Sequence, residues 1–267
     1  MHGLWQEIAG LVLPAECAGC GLPRSVLCDR CRAELCGRQP ERVWPQPRPA
    51  GLPPVHAAAR YGGAVRAVLL AHKERGRLGL AEPLGAALAG AAAMAGARGR
   101  AGGVRGRGGP LLLVPVPSAR RAVAGRGHDA GRRIALAAAR ALRAGGLPAR
   151  VVPGLRLRRA VADQSGLGAQ QRRANVTGAM GVAAGVERLW RPGRPVVLVD
   201  DLMTTGASLV EAARALRACG GDVAGAAVVA AVPRLAGFHR RETGTDRERP
   251  AFLRETARKH LNGGTWR

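Results

Sequence analysis

Two groups of residues in this 267-residue chain have types and spacings that could do chemistry. The first lies in the stretch VVLVDDLMTTGASL, residues 196–209. An apolar run ends in Asp200 and Asp201, and Thr204, Thr205, Gly206, Ala207 and Ser208 follow at once. Where a strand turns into a helix, the first backbone N–H groups of the helix lack partners and carry partial positive charge. A phosphate fits there, with threonine and serine hydroxyls as further donors and Gly206 allowing a tight turn. Two carboxylates beside a phosphate repel it, so they need another partner. A sugar diol is such a partner, because hydrogen bonds to an ionised carboxylate are strong. The stretch therefore fits a ribose 5-phosphate, with the acids on the ribose hydroxyls and the turn on the phosphate. A helix merely capped by Thr or Ser would explain one hydroxyl and neither acid.

The second group is Cys17-x2-Cys20 and Cys28-x2-Cys31, two pairs with seven residues between them. Four thiolates at such spacing suit tetrahedral Zn2+. A redox pair or an iron–sulfur cluster are the alternatives. A module this small has too little core to fold alone, so the metal would supply most of its folding free energy. Cys36 is close enough to be an alternate ligand. Cys219, at the end of a predicted helix, is expected in the core.

The elements that must position these groups show in the hydrophobic pattern. LLLVPVP (111–117), PVVLVDD and GAAVVAAVP read as buried strands, and ARVVPGL as a further strand. Asp129 to Arg143 and Ala207 to Cys219 read as helices, each followed by a glycine pair. Arg60 to Ala97 reads as helical apart from a break at ERGRLG, and residues 97–109 as a surface loop. Strands alternating with helices, and continuous apolar strands, predict an α/β fold: a parallel sheet flanked by helices. Ligands of such sheets bind outside the carboxyl ends of the strands, where Asp200 and Asp201 are expected. Residues 1–50 hold five of the six cysteines and end in a proline-rich stretch, so they read as a zinc-binding module and linker. Residues 51–233 form the expected main domain, and 234–267 a basic tail.

The net charge is +24, with only two lysines, Lys73 and Lys259. From Arg98 to Arg173 there are 17 arginines against two acids, a net of +15. A polyphosphate ligand and a nucleic-acid backbone both suit such a field, although the abundance of alanine, glycine, arginine and proline also points to compositional bias. The stretch LAEPLGAALAGAAAMAGA is interrupted by Glu82 and Pro83, so no membrane span is expected. The N-terminus lacks a basic region and carries Glu7, so no secretory signal is expected. A cytoplasmic location is the expectation, and disulfides are not expected there.

VVLVDDLMTTGASL closely resembles the phosphoribosyl pyrophosphate signature of type I phosphoribosyltransferases. More narrowly, the chain resembles the ComF family, which joins a four-cysteine zinc motif to such a domain. The further matches are LVLPAECAGC, AHKERGRLGLAEPL, VPVP followed by RGHD, and RAVADQSGLGAQQRRANVTGAM. The resemblance implies that VPVPSARR, with Pro117 and Ser118, is the pyrophosphate loop and that Arg126 lies near it. It implies that Arg159, Gln164, Arg172 and Asn175 belong to a mobile loop closing over the substrate. Lys73 matches a lysine of the family's upstream helix, whose charge could face the anion or lie on the surface.

Two positions depart from the family: His128 and Asp129 follow Arg126-Gly127 in place of Phe-Asn, and Met180 replaces an aromatic. Asp129 either caps the next helix or faces pyrophosphate and weakens its binding. Residues 50–110 would be the hood that selects the acceptor. The implied chemistry is transfer of phosphoribose from phosphoribosyl pyrophosphate with Mg2+ to a nitrogen acceptor. Asp200 or Asp201 would stabilise the positive ring in the transition state. The family also implies a link to competence and DNA uptake. The alternative is a non-catalytic accessory that binds a nucleotide, single-stranded DNA or DNA-processing proteins through the zinc module and the basic surface. The sequence does not fix the oligomeric state; many such folds dimerise, and a homo-oligomer rests on that analogy alone.

Overall fold

The computed structural model of the chain describes residues 16–101, 109–161, 168–190, 194 and 196–232. Gln164, the basic tail 234–267, the N-terminal residues 1–15 and most of the expected 97–109 loop lie outside these.

Six strands form the main sheet: β1 (Glu41–Val43), β2 (Val55–Arg60), β3 (Leu111–Pro115), β4 (Ala149–Val151), β7 (Val196–Met203) and β8 (Val223–Ala231). Their order is β1-β2-β8-β7-β3-β4. Every pairing is parallel except that of β1 with β2. The central strands are unbroken apolar runs because helices or a second small sheet cover both faces. All five residues of β3 are buried.

Helices α1 (Asp29–Cys36), α2 (Gly63–Glu74), α3 (Ala81–Ala101) and α5 (Ala130–Ala144) are joined by the short helix α4 (Arg120–Arg126), α6 (Ala169–Val176) and α7 (Ala207–Arg217). On one face of the sheet, Val197, Val199, Ala227 and Val229 share a core with residues of α2, α3 and α5. On the other, Val196, Leu198, Ala226 and Val228 share a core with α7 and with a two-stranded sheet of β5 (Leu155–Leu157) and β6 (Met180–Val182).

The helices follow from their patterns. In α5 the buried residues Ile134, Ala135, Ala138 and Leu142 make one stripe. The carboxylate of Asp129 accepts a hydrogen bond from the N–H of Arg132 at 3.0 Å, so this acid caps the helix. Helix α3 packs through alanine and glycine. A Cβ added at Gly85 would collide with Ala137 of α5, and one at Gly96 would sit 2.7 Å from a methyl of Leu111. Within Leu78–Ala97 a stretch is long and apolar enough to cross a membrane, but 67% of it is buried inside the protein, as in a core helix.

Several sequence expectations need correction. ARVVPGL is not one strand: β4 and β5 lie in different sheets. Pro153 stands between them and has no N–H to continue a ladder. Residues 97–101 extend α3 and are not loop. Residues 55–101 supply β2, α2 and α3 to the body of the fold and do not form a separate hood, because their apolar faces pack on the sheet. Cys219 follows α7 and is exposed, not core. Apart from these corrections, the cysteine-rich segment packs against the body: Cys17, Leu27, Cys31 and Leu35 share the α2–α3 core, and β1 pairs with β2.

Candidate functional site

Strand β7 runs through both acids to Met203, with Asp200 paired to Val228 and Leu202 to Ala230. Asp200 and Asp201 thus lie within the last residues of the strand, held by the ladder, and not beyond its end. Residues 204–206 turn, and α7 begins at Ala207. Gly206 has φ +74°, a left-handed conformation that side chains disfavour, and it caps α7 without a side chain. A Cβ there would also lie 3.0 Å from Leu52.

Because glycine is the cap, the hydroxyls are left over. Thr205 Oγ1 accepts only a long 3.4 Å bond from the N–H of Ala207. Among the described residues no hydrogen bond engages the side chains of Thr204 or Ser208. Asp200 and the turn 204–208 line one small polar cavity of about 50 Å3. That exceeds the roughly 30 Å3 share of a liquid water. The first-turn N–H groups of α7 add donors to it.

The two acids differ. The backbone N–H of Asp201 donates to Oδ1 of Asp200 at 2.9 Å, fixing that carboxyl. Burial, then the charge of Asp201 beside it, pushes Asp200 up to about 8, against the pull of Lys73. Asp201 is engaged elsewhere: its Oδ2 lies 2.6 Å from the ammonium Nζ of Lys73 at the end of α2. The side chain of Asp201 is 14% exposed and that of Lys73 37%. Burial works to lower the Lys73 pKa, but Asp201 in contact and Asp200 nearby outweigh it and raise the pKa above its usual value. The repulsion between a carboxylate pair and a phosphate is thereby reduced. Burial thus favours the neutral form of Asp200, and Lys73 balances Asp201.

Pro117 and Ser118 lie in the half-buried link 116–119 after β3. The N–H of Val116 bonds the carbonyl of Val199 at 2.9 Å, which sets this link beside the acid pair. Arg126 ends α4, with its side chain 13% exposed. One terminal nitrogen sits 3.3 Å from Glu74, and its buried Nε has no partner. Arg126 is close enough to Lys73 to oppose its charge. His128 ties this corner together: Nδ1 lies 2.9 Å from the Arg126 carbonyl and Nε2 3.2 Å from that of His72.

The structure does not join Arg159 or Arg172 to this site by any hydrogen bond or ion pair among the described residues. Arg159 donates to the carbonyl of Thr177 at 2.8 Å. Arg172 and Asn175, expected on a loop, stand on the helix α6, where the buried Nε of Arg172 has no partner.

The sulfurs of Cys17, Cys20, Cys28 and Cys31 all lie within 4.8 Å of one another. Cys28 is 3.6 Å from both Cys17 and Cys20. Four Zn–S bonds of about 2.3 Å in a tetrahedron place sulfurs about 3.8 Å apart, so the donor set fits Zn2+. Burial opposes ionisation of Cys17, but N–H groups of Cys28, Cys20 and Gly19 bring it down to about 6. Cys36 is not in the cluster; its thiol donates to the carbonyl of Pro83 at 3.5 Å.

Two features had no signal in the sequence. The Lys73–Asp201 contact spans 128 positions. Glu211 of α7, 3% exposed, accepts the N–H of Met180 at 3.0 Å and pairs with Arg214 at 2.8 Å, so β6 is fastened to the helix behind the turn.

Comparison with known proteins points the same way. A family described as phosphoribosyl transferase domain matches residues 159–247. The orotate phosphoribosyltransferase of Lactiplantibacillus plantarum is 44% identical over 43 residues, 16% of this chain and 20% of that protein. The adenine phosphoribosyltransferases of Rhizobium johnstonii and Shewanella loihica are 46% and 42% identical over 52 and 50 residues, 20% and 19% of this chain. The matches span 29% and 28% of those two proteins, so the chain covers less than a third of the length of each relative. The parallel sheet flanked by helices, its matched segment and the four-cysteine cluster together give a phosphoribosyltransferase-type α/β fold with a small module suited to zinc.

Proposed function

We propose that the protein binds phosphoribosyl pyrophosphate together with Mg2+ and transfers its phosphoribosyl group to a nitrogen nucleophile. The observation that carries this is the shared cavity of Asp200 and the turn 204–208, where among the described residues the hydroxyls of Thr204 and Ser208 are unengaged and that of Thr205 has only one long contact. The turn holds the 5-phosphate and the acids hold the ribose hydroxyls. In the reaction the C1–oxygen bond breaks, pyrophosphate leaves with the bonding electrons, and the nitrogen attacks the opposite face and then loses a proton. The protein's part is positioning and charge stabilisation, with Asp200 and Asp201 beside the ring as it becomes positive. Carboxylate and hydroxyl oxygens suit Mg2+, and thiolates suit Zn2+, so the two metals would separate between the sites. Mg2+ neutralises diphosphate charge when bound.

Pro117, Ser118 and Arg126 would lie on the leaving-group side. Arg159 and Arg172 could serve only after a rearrangement that brings them over the turn. Calorimetry with phosphoribosyl pyrophosphate and Mg2+, followed by a screen of nitrogen acceptors for pyrophosphate release, tests the activity. The expected result is binding that Asp201→Ala weakens at least tenfold. Absence of both binding and release for every acceptor class sinks it.

A single-stranded DNA accessory, tied to competence and DNA uptake by family resemblance, is the second candidate. Exposed Arg24 and Arg30 beside exposed Leu22 and Val26 on the cysteine module support it. A steep salt dependence with a defined site size would establish such binding.

A further inference from the structure

Lys73 stands on the opposite side of β7 from the phosphate turn. Helix α2 packs into the core shared by Val197 and Val199, whereas α7 packs into the core shared by Val196 and Leu198. The end of β7 therefore projects between two different surroundings. On the α7 side Asp200 opens into the cavity with the turn. On the α2 side Asp201 is closed off by an ammonium at 2.6 Å. In that state one oxygen of Asp201 is already taken, and a sugar hydroxyl would have to compete with a full positive charge for the carboxylate.

We propose that Lys73 is a partner-exchanging residue. It holds Asp201 in the ligand-free protein and, when a sugar phosphate bearing a diphosphate at C1 binds, moves its ammonium to that diphosphate, freeing Asp201 for the ribose hydroxyls. The inference rests on the proposed binding of phosphoribosyl pyrophosphate and adds how this chain selects it over other ribose phosphates.

Three features support the exchange. Lys73 is 37% exposed on a flexible stem, so it can swing, whereas Asp201 at 14% exposure is held by the strand. A second cation is already beside it: Arg126 has a buried, unpartnered Nε and only a 3.3 Å contact to half-exposed Glu74. Lys73 and Arg126 repel one another, and an anion between them relieves that repulsion. Before exchange Lys73 is paired with Asp201. After exchange Lys73 and Arg126 face the diphosphate while Asp201 faces a diol. Lys73, Arg126 and Asp201 each have a partner in either state, and Glu74, which gives up Arg126, is about half exposed to water.

A ligand without the diphosphate breaks this balance. Ribose 5-phosphate can occupy the turn, but it offers no anion to Lys73, so opening the ion pair would strand the ammonium. Lys73 thus penalises ribose phosphates that lack the diphosphate and favours the one that has it.

The experiment compares binding of phosphoribosyl pyrophosphate with Mg2+ and of ribose 5-phosphate to the full-length protein and to Lys73→Met, Lys73→Gln and Lys73→Arg. Expected for Lys73→Met and Lys73→Gln is at least a tenfold loss for phosphoribosyl pyrophosphate with tighter binding of ribose 5-phosphate, and unchanged ribose 5-phosphate binding would overturn the exchange. Lys73→Arg should recover part of the discrimination. Thermal unfolding selects for comparison whichever of the two neutral variants keeps its fold. An equal loss for both ligands, or no loss for phosphoribosyl pyrophosphate, overturns the exchange while leaving the proposed activity standing. If the unmodified protein binds neither ligand, the proposed activity falls and the exchange with it.

Discussion

The four-cysteine cluster and the turn after β7 are both built from short contiguous motifs, yet they are held in place by opposite means. Around the cysteines there is one eight-residue helix, α1, and a set of turns, anchored to the body by a few side chains such as Leu27 and Leu35. Local backbone hydrogen bonds and that anchoring bring the four thiols together, and a bound ion would add its bonds to them. The turn has no such internal bond. It is held by an eight-residue strand inside a six-stranded sheet and by a helix packed behind it. A site made by ligation should collapse when its ligand is removed, and a site made by packing should survive without one.

The largest effect should come from Cys31→Ser, which removes a buried donor. Structural Zn2+ sites contribute on the order of 10 kcal/mol to small modules. The variant should lose stoichiometric zinc, measured by metal analysis, and residues 16–36 should become protease-sensitive. Binding at the turn should change less than about threefold, the marginal range for a remote site. Loss of both together would show that the two regions are not independent.

On the packed side, Gly206→Val places a branched side chain at φ +74° against Leu52. Left-handed backbone costs about 1–2 kcal/mol and the contact adds to it. Urea unfolding should register a loss of about 3 kcal/mol, while zinc content stays intact. Next in size is Glu211→Ala, which leaves the buried N–H of Met180 without an acceptor. A loss of about 1–3 kcal/mol is expected in the same assay. An unchanged midpoint would mean that β6 does not support the helix behind the turn.

The last effect is a slope with pH. Asp200 is raised to about 8 in the folded protein, against about 3.9 for an unperturbed aspartate. Between those values the native state holds a proton that the unfolded chain has released. Stability from this group is therefore complete below about pH 4, falls as pH rises, and is lost once pH passes about 8. Asp200→Asn should flatten that slope and be more stable than the unmodified protein at pH 9. Identical pH profiles for the two would place Asp200 in a more hydrated setting.

The same contrast decides what could be read from the sequence. The cysteine pairs and the β7 turn are legible because their chemistry is carried by neighbours in the chain. Strands β3, β7 and β8 are legible because burial on both faces leaves unbroken apolar runs. Helix α6 is not, since AQQRRANV has no apolar stripe and is polar almost throughout. Pro153 splits one apparent strand into two because strand pattern alone does not reveal which sheet a segment joins. Asp201 could be recognised as an acid by its place in the motif, but not as half of an ion pair. Its partner comes from the far end of α2, and no local spacing encodes a contact between helix and strand across the sheet end.

Where α3 crosses α5, Gly85 meets Ala137 so closely that a single methyl group does not fit between them. Much of the interior is assembled in this way, from alanine and glycine with almost no rings. Trimming such side chains removes few atoms and leaves little void, so the protein should tolerate loss of bulk better than gain. Its vulnerable positions are the smallest ones, and random mutation, which mostly enlarges glycine and alanine, meets an interior with no slack to receive it.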